Sequence, residues 1–298
     1  MSTTRRTWPV GLAAALLVGS CALGPGPGAN PSTPGSRTSL TLAPSTPGPS
    51  TTSAVTGTED VNGCPQGEVM LTEGQLLRSE RPAADGTRIS GITWRATGDC
   101  HVLGISFATN DGAPATTAPT LTARLLRSEG VLRVETAATS SVVVDQKVEE
   151  GMVDRLYVPQ TSEGSRFVDF VLDGPALARA HILTSPARLE IELEPGGPPV
   201  GRPLITDSLV IVQPGSAAVM APILDVSGYA SGPSLSLVLS VSMGAAQVEE
   251  TTFEVPSGSD NWTAFSTALQ MGDRRYDNLR ITRPDGTVVA GIPFNPPE

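Results

Sequence analysis

Cysteine, histidine and lysine are nearly missing from this 298-residue chain, which holds three, two and one of them, the last being Lys147. So few thiols exclude a disulfide-dense miniature scaffold, and they fall short of a four-ligand thiolate metal centre. Aromatic residues are only 4% of the chain, so any core must rest on Val, Leu and Ile. No apolar run reaches the roughly 20 residues a helix needs to cross a bilayer. Positive charge is also scarce: the formal net charge is −10. An acidic chain is poorly suited to nucleic acid, whose affinity comes from Lys and Arg neutralising phosphates. It also gains nothing from a basic patch on anionic lipid.

What is present begins with the leader MSTTRRTWPVGLAAALLVGSC. Arg5 and Arg6 precede an apolar stretch from Trp8 to Val18, and the small residues Gly19 and Ser20 follow it. A positive start, a short apolar segment and a small-residue cut site make an export signal over residues 1–20. Cys21 stands directly after it. Val18-Gly19-Ser20-Cys21 resembles the lipobox of bacterial lipoproteins, whose cysteine is acylated as the chain is cut just before it. The resemblance implies lipid attachment at Cys21, hence a chain held at the extracytoplasmic face of the cell membrane. One acyl chain binds membranes only marginally, at about 0.8 kcal/mol per methylene, and the two or more of a lipobox cysteine are enough to anchor. Losing Arg5 and Arg6 with the leader takes the mature net charge from −10 to −12.

Residues 21–60 are dominated by Gly, Pro, Ser and Thr and are almost uncharged. Such a segment buries too little apolar surface to offset chain entropy, which predicts a disordered tether after Cys21. Over the 37 residues from Ala22 to Thr58, about 5 to 6 Å times the square root of the length gives a mean reach of roughly 30 to 37 Å.

Beyond Asn62 the pattern becomes that of strands. In ARLEIELEP (187–195), Leu189, Ile191 and Leu193 alternate with Arg188, Glu190, Glu192 and Glu194, the period of a half-buried strand. Weaker alternation marks 89–96, 102–109, 131–137 and 166–174. The best helix candidate is QKVEEGMVDRL (146–156), although Gly151 interrupts it. Pro195-Gly196-Gly197-Pro198-Pro199 and Pro203 predict a boundary between one domain over 62–197 and another over 203–298. The second holds seven short strand-like segments separated by turn signals, among them Pro284-Asp285-Gly286. That spacing predicts an immunoglobulin-like sandwich. The fold class expected is therefore all-β, with two β-sandwich domains after a disordered tether.

The stretch ISGITWRATGDCHVLGISF and the close RAHILTSPARLEIELEP resemble the AMIN-like domain of actinobacterial secreted proteins and lipoproteins. The related amidase N-terminal domains are β-sandwiches that target their proteins to the cell wall. Where that family often has Asp-Arg-Val, this chain has Asp99, Cys100, His101 and Val102. The segment IVQPGSAAVMAPILDVSGYA, followed by TFEVP and NWTAF, resembles the immunoglobulin-like domain of bacterial spore germination proteins. These resemblances imply folds, and activity on a fold must be argued from a site.

In an oxidising compartment, with Cys21 acylated, Cys64 and Cys100 are expected to pair as a disulfide. Metal or redox chemistry by Cys64, Cys100 and His101 lacks any closed zinc spacing. His101 and His181 both fall in strand-like sequence, and there is no Gly-x-Ser-x-Gly elbow to place a nucleophile beside them. Glu190, Glu192 and Glu194 read as a solvated strand face rather than as a glycosidase acid pair. In Asn261-Trp262-Thr263, Trp262 reads as a sandwich core residue. The expectation is a non-enzyme with no catalytic, cofactor or metal residues, binding or scaffolding an envelope protein or a wall glycan. An envelope hydrolase and a plain structural spacer are the alternatives.

Overall fold

The computed structural model describes Cys64 and residues 69–293, apart from 82, 141–144, 149–150, 216–222, 244–245, 256–257 and 272–275. Cys21 and the expected leader and tether lie outside those residues.

The first part of the chain supplies β1 (Gly74–Ser79), β2 (Arg88–Thr97), β3 (Cys100–Ala108), β4 (Leu121–Leu126), β5 (Val131–Thr136) and β6 (Thr139–Ser140). It continues with β7 (Asp145–Lys147), β8 (Val153–Tyr157), β9 (Arg166–Leu172), β10 (Ala176–Leu183) and β11 (Arg188–Pro195). They form a six-stranded sheet in the order β1-β4-β5-β9-β8-β7 and a five-stranded sheet in the order β10-β11-β3-β2-β6. Alternation explains the sandwich. Leu103, Ile105 and Phe107 from β3 and Leu189, Ile191 and Leu193 from β11 are buried against Leu121, Leu125, Leu132, Val134 and Phe170. The described residues of segment 146–156 are not helical. They contribute β7 and β8, which pair antiparallel between Gln146 and Leu156. Gly151, at φ +102°, lies between them in a conformation a helix interior does not use.

The second part supplies β12 (Leu204–Ile205), β13 (Leu209–Gln213), β14 (Ile223–Gly232), β15 (Leu235–Met243), β16 (Ala246–Val255), β17 (Gly258–Gln270), β18 (Asn278–Thr282) and β19 (Val288–Pro293). Here the sheets are β12-β13-β14-β17 and β16-β15-β18-β19. Strand β14 pairs with β17 and β15 with β18, so each sheet takes strands from both halves of the segment. That crossing is the Greek-key order of immunoglobulin-like sandwiches. Leu209, Ile211, Val226, Leu237, Leu239, Val241, Leu279 and Ile281 fill its interior. The Pro284-Asp285-Gly286 turn joins β18 to β19, with Gly286 at φ +84°. The Thr287 N–H donates to the Asp285 carboxylate over 2.9 Å, which holds that carboxyl below its usual range.

The two sandwiches share a third core. Val131, Tyr157, Phe167 and Val171 on the outer face of the six-stranded sheet pack against Val210, Val212, Tyr229 and Trp262 on the outer face of the β12-β13-β14-β17 sheet. Trp262 is thus buried between sandwiches, not inside one. Both facing strands read as near-continuous apolar runs because both of their faces are covered: β9 is buried from Phe167 to Leu172 and β13 from Leu209 to Val212. The rings of Tyr157, Tyr229 and Trp262 meet edge-on or tilted at centroid distances of 4.9 to 5.8 Å, the arrangement their quadrupoles favour.

Glycines let the connecting chain close over this junction. The Gly201 N–H donates to the Arg127 carbonyl over 2.8 Å. A Cβ on Gly201 or on Gly215 would overlap the Ser128 carbonyl oxygen, and one on Gly130, at φ +69°, would overlap that of Gly201. Gly201→Ala is therefore expected to push the β4–β5 turn away and cost about 1 to 3 kcal/mol by overpacking. Gly91→Ala, where an added Cβ meets nothing within 4 Å, should stay within about 0.5 kcal/mol. Urea unfolding of the two variants side by side checks this, and equal midpoints would contradict it.

Candidate functional site

Of the residues singled out in the sequence, Cys64, Cys100, His181, Glu190, Glu192 and Glu194 gather on one face of the five-stranded sheet as a disulfide and charge pairs, and His101 lies on the other. Cys64 and Cys100 form a disulfide, with 7% and 4% of their surfaces exposed. The Cys64 N–H donates to Glu194 Oε1 over 2.7 Å, so the bridge fastens the chain before β1 to β11 and β3. Glu192 comes within 4.8 Å of both sulfurs. With the thiols joined to each other, this trio offers one carboxylate and no thiolate, too little to hold a metal.

His101 and His181 sit on opposite faces of the five-stranded sheet. His101 pairs with Leu193 and lines a cavity of about 120 Å³ with Trp94, Met152 and Val153. His181 lies opposite Glu190 on the outer face, its Nε2 3.3 Å from Glu190 Oε2.

The glutamates of β11 are not a solvated face. Glu190 and Glu192 are only 8% and 9% exposed. Arg188 approaches Glu190 at 2.6 Å and Arg95 at 3.7 Å, while Arg179 pairs with Glu192. The reason is position: β11 lies inside its sheet, flanked by β10 and β3, so Arg188 from the same strand, Arg179 and His181 from β10 and Arg95 from β2 cover its carboxylates. Charge-paired acids of this kind hold a strand in register more readily than they shuttle protons.

The seam between the sandwiches gathers more chemistry. Arg133 on β5 and Asp169 on β9 are cross-strand partners, joined by two bonds of 2.8 and 2.7 Å. Asp169 is wholly buried. Burial pushes its carboxyl up, and the Arg133 guanidinium pulls it partly back. The same guanidinium lies 4.4 Å from the Phe167 ring centroid, a favourable cation–π placement. From β8, the Tyr157 phenol is pushed up to about 12 by burial, and burial also pushes up the Tyr229 phenol, which comes from the opposite sandwich. The Tyr229 hydroxyl is buried without a hydrogen-bond partner among the described residues.

Beside this buried pair lie two cavities of about 490 and 630 Å³, the smaller walled by the first sandwich alone and the larger by both. Arg133, Phe167 and Thr161 line both. The turn from Thr161 to Ser165, closed by the Thr161 N–H donating to the Ser165 carbonyl over 2.8 Å, borders both. The larger cavity draws its walls from both sandwiches, including Gln213, Asp225, Ser227, Glu254 and Ser266. The smaller is lined by Thr120, Thr122, Glu135, Thr136 and Arg166 among others. Both are open depressions rather than enclosed chambers. Hydroxyls, an amide and carboxylates are suited to hydrogen-bonding recognition. Nothing in the sequence announced this site, since its walls come from strands far apart in the chain. The only local signal is a charged residue inside each of two apolar runs, VLRVE and FVDFV.

The sequence matches no protein-family model and no curated protein.

Proposed function

We propose that this protein is a membrane-tethered, non-enzymatic binding module of the bacterial cell envelope, presenting a double sandwich to an envelope protein. The observation that carries the reading is the seam: two sandwiches buried against each other leave a polar groove that neither contains alone. A binding surface made by two domains needs them held in one geometry, and the shared core of Val131, Tyr157, Phe167, Val210, Tyr229 and Trp262 supplies that. The lipobox-like Val18-Gly19-Ser20-Cys21 supports the anchor, and the Gly/Pro/Ser/Thr-rich segment after it supports a tether. The AMIN-like resemblance of residues 89–195 adds wall glycan as a further partner. An acidic chain gains no electrostatic help from carboxylate-rich wall polymer, so protein partners rank first.

Cross-linking in intact cells expressing the full chain, with mass-spectrometric identification of what is joined to it, tests the reading. A reproducible envelope protein is expected, and recovery of abundant bystanders alone would overturn the protein-partner reading. For the anchor, Cys21→Ser is expected to remove acylation and to release or trap the precursor. A cleaved, unacylated form retained in the membrane fraction would contradict it.

A further inference from the structure

The larger seam cavity contains an unfinished sheet edge. Strand β17 is the last strand of the β12-β13-β14-β17 sheet and pairs along one side with β14, from Ile223 opposite Gln270 to Ala230 opposite Thr263. In an antiparallel ladder, alternate residues turn their N–H and C=O groups to opposite sides. The Ala264 N–H donates away from β14, to the Gln160 carbonyl over 2.8 Å, and the Trp262 carbonyl accepts from the Gln160 N–H, also over 2.8 Å. The even-numbered residues of β17 therefore present their backbone to the free edge. Gln160 occupies that edge as a single added residue, bridged in parallel to Thr263. The chain then turns away at Thr161. Ser266 and Ala268, next in the same row, are exposed, and among the described residues no strand pairs with them on that side.

The edge opens into a lining of one dominant charge. Ser266 and Ala264 share the cavity wall with Asp225 and Glu254, both exposed and in no ion pair among the described residues. Glu135 adds a third carboxylate in the adjoining cavity. Of the nearby cations, Arg133 is bound twice by Asp169, while Arg166 lies in the adjoining cavity with Glu135 and donates to the Gln160 side-chain oxygen over 3.2 Å, keeping its charge. An open ladder supplies main-chain affinity and the alternating side chains of an added strand supply specificity.

We propose that an extended segment of the partner protein, basic at alternate positions, adds to the β17 edge beyond Gln160 and sets its cations against Asp225 and Glu254. This rests on the binding reading above and gives the partner a chemical form. The inserted peptide continues what Gln160 begins.

The test uses the full chain in detergent and a labelled peptide with the alternating sequence Arg-Val-Arg-Thr-Arg-Val, beside the same peptide carrying Glu for Arg. Saturable binding of the basic peptide is expected, about tenfold or more tighter than the acidic one and weakening with salt. Ser266→Pro removes an edge N–H without touching the β14 ladder and should weaken binding about tenfold or more. Because proline can disturb a strand, Asp225→Asn with Glu254→Gln provides a second arm. These exposed changes should weaken the basic peptide about threefold or more and flatten its salt dependence. Equal binding of the two peptides, binding unchanged in both variants, or no saturation below about 1 mM would overturn the proposal. A sedimentation mass showing the edge taken by a second copy of the chain would do the same. If cross-linking in cells captures the same partner from Ser266→Pro as from the parent, the binding reading survives and this assignment falls.

Discussion

Asp169→Ala is expected to destabilise the folded double sandwich by about 3 to 5 kcal/mol, the cost of leaving one member of a buried ion pair alone. Asp169 has no exposed surface, and Arg133 is held against it by two bonds of 2.8 and 2.7 Å with only 21% of its side chain exposed. Arginine does not escape by losing its proton, since its guanidinium stays charged at any ordinary pH. With the carboxylate gone, the cation would sit between the sandwiches with Phe167 beneath it and no counter-charge bonded to it. The decisive comparison is the double variant Arg133→Leu with Asp169→Leu, which removes both charges and should cost far less than Asp169→Ala, because apolar replacements of buried pairs are often near neutral. Urea unfolding of the three proteins measures this. A loss under about 1 kcal/mol for Asp169→Ala would mean that water reaches Arg133 and that the seam is looser than its burial indicates. The pair lies at the sandwich junction, so partial separation should also show as a broadened or two-step transition.

Replacing Cys64 and Cys100 together by alanine is expected to cost about 3.8 kcal/mol, the chain entropy returned to the unfolded state when a loop of this size is opened. The cysteines are 36 residues apart in sequence. Their bridge is the covalent hold on the chain preceding β1, where the Cys64 N–H also donates to Glu194. The effect should therefore be local as well as global: hydrogen exchange should rise first at Cys64 and at the end of β11, ahead of the β3–β11 core. Changing both cysteines leaves no unpaired thiol of the pair to confuse the reading. Identical unfolding midpoints for parent and double variant would overturn the expectation.

Much of the architecture was legible locally. Leu189, Ile191 and Leu193 alternate with charged residues, and that period of two placed β11 and the inward face of its sheet. Pro284-Asp285-Gly286 placed a hairpin because only glycine takes a positive φ there without strain. The misreadings share one cause. Gln146 to Leu156 carries few apolar residues in any period, so the choice between helix and hairpin fell to pairing with β9, a strand ten residues further on. Glu190 and Glu192 look like solvent-facing acids because their alternation is right; Arg188 stands two residues before Glu190 on the same strand, and the other partners arrive from β2 and β10. Trp262 looked like the interior of one sandwich, since a sequence shows that a residue is apolar but not which of a strand's two faces another sheet will cover.

By itself, then, the sequence determined the all-β class, the positions of most strands and turns, and the cysteines available to pair, because periodicity and turn chemistry act over a few residues. Tertiary structure alone decided the Arg133–Asp169 pair, the shared core at Tyr157, Tyr229 and Trp262, and the groove beside the free edge of β17. Those features join β5, β8 and β9 to β13, β14 and β17. Contacts between elements so distant in sequence are set by how whole sheet faces fit, which local pattern does not encode.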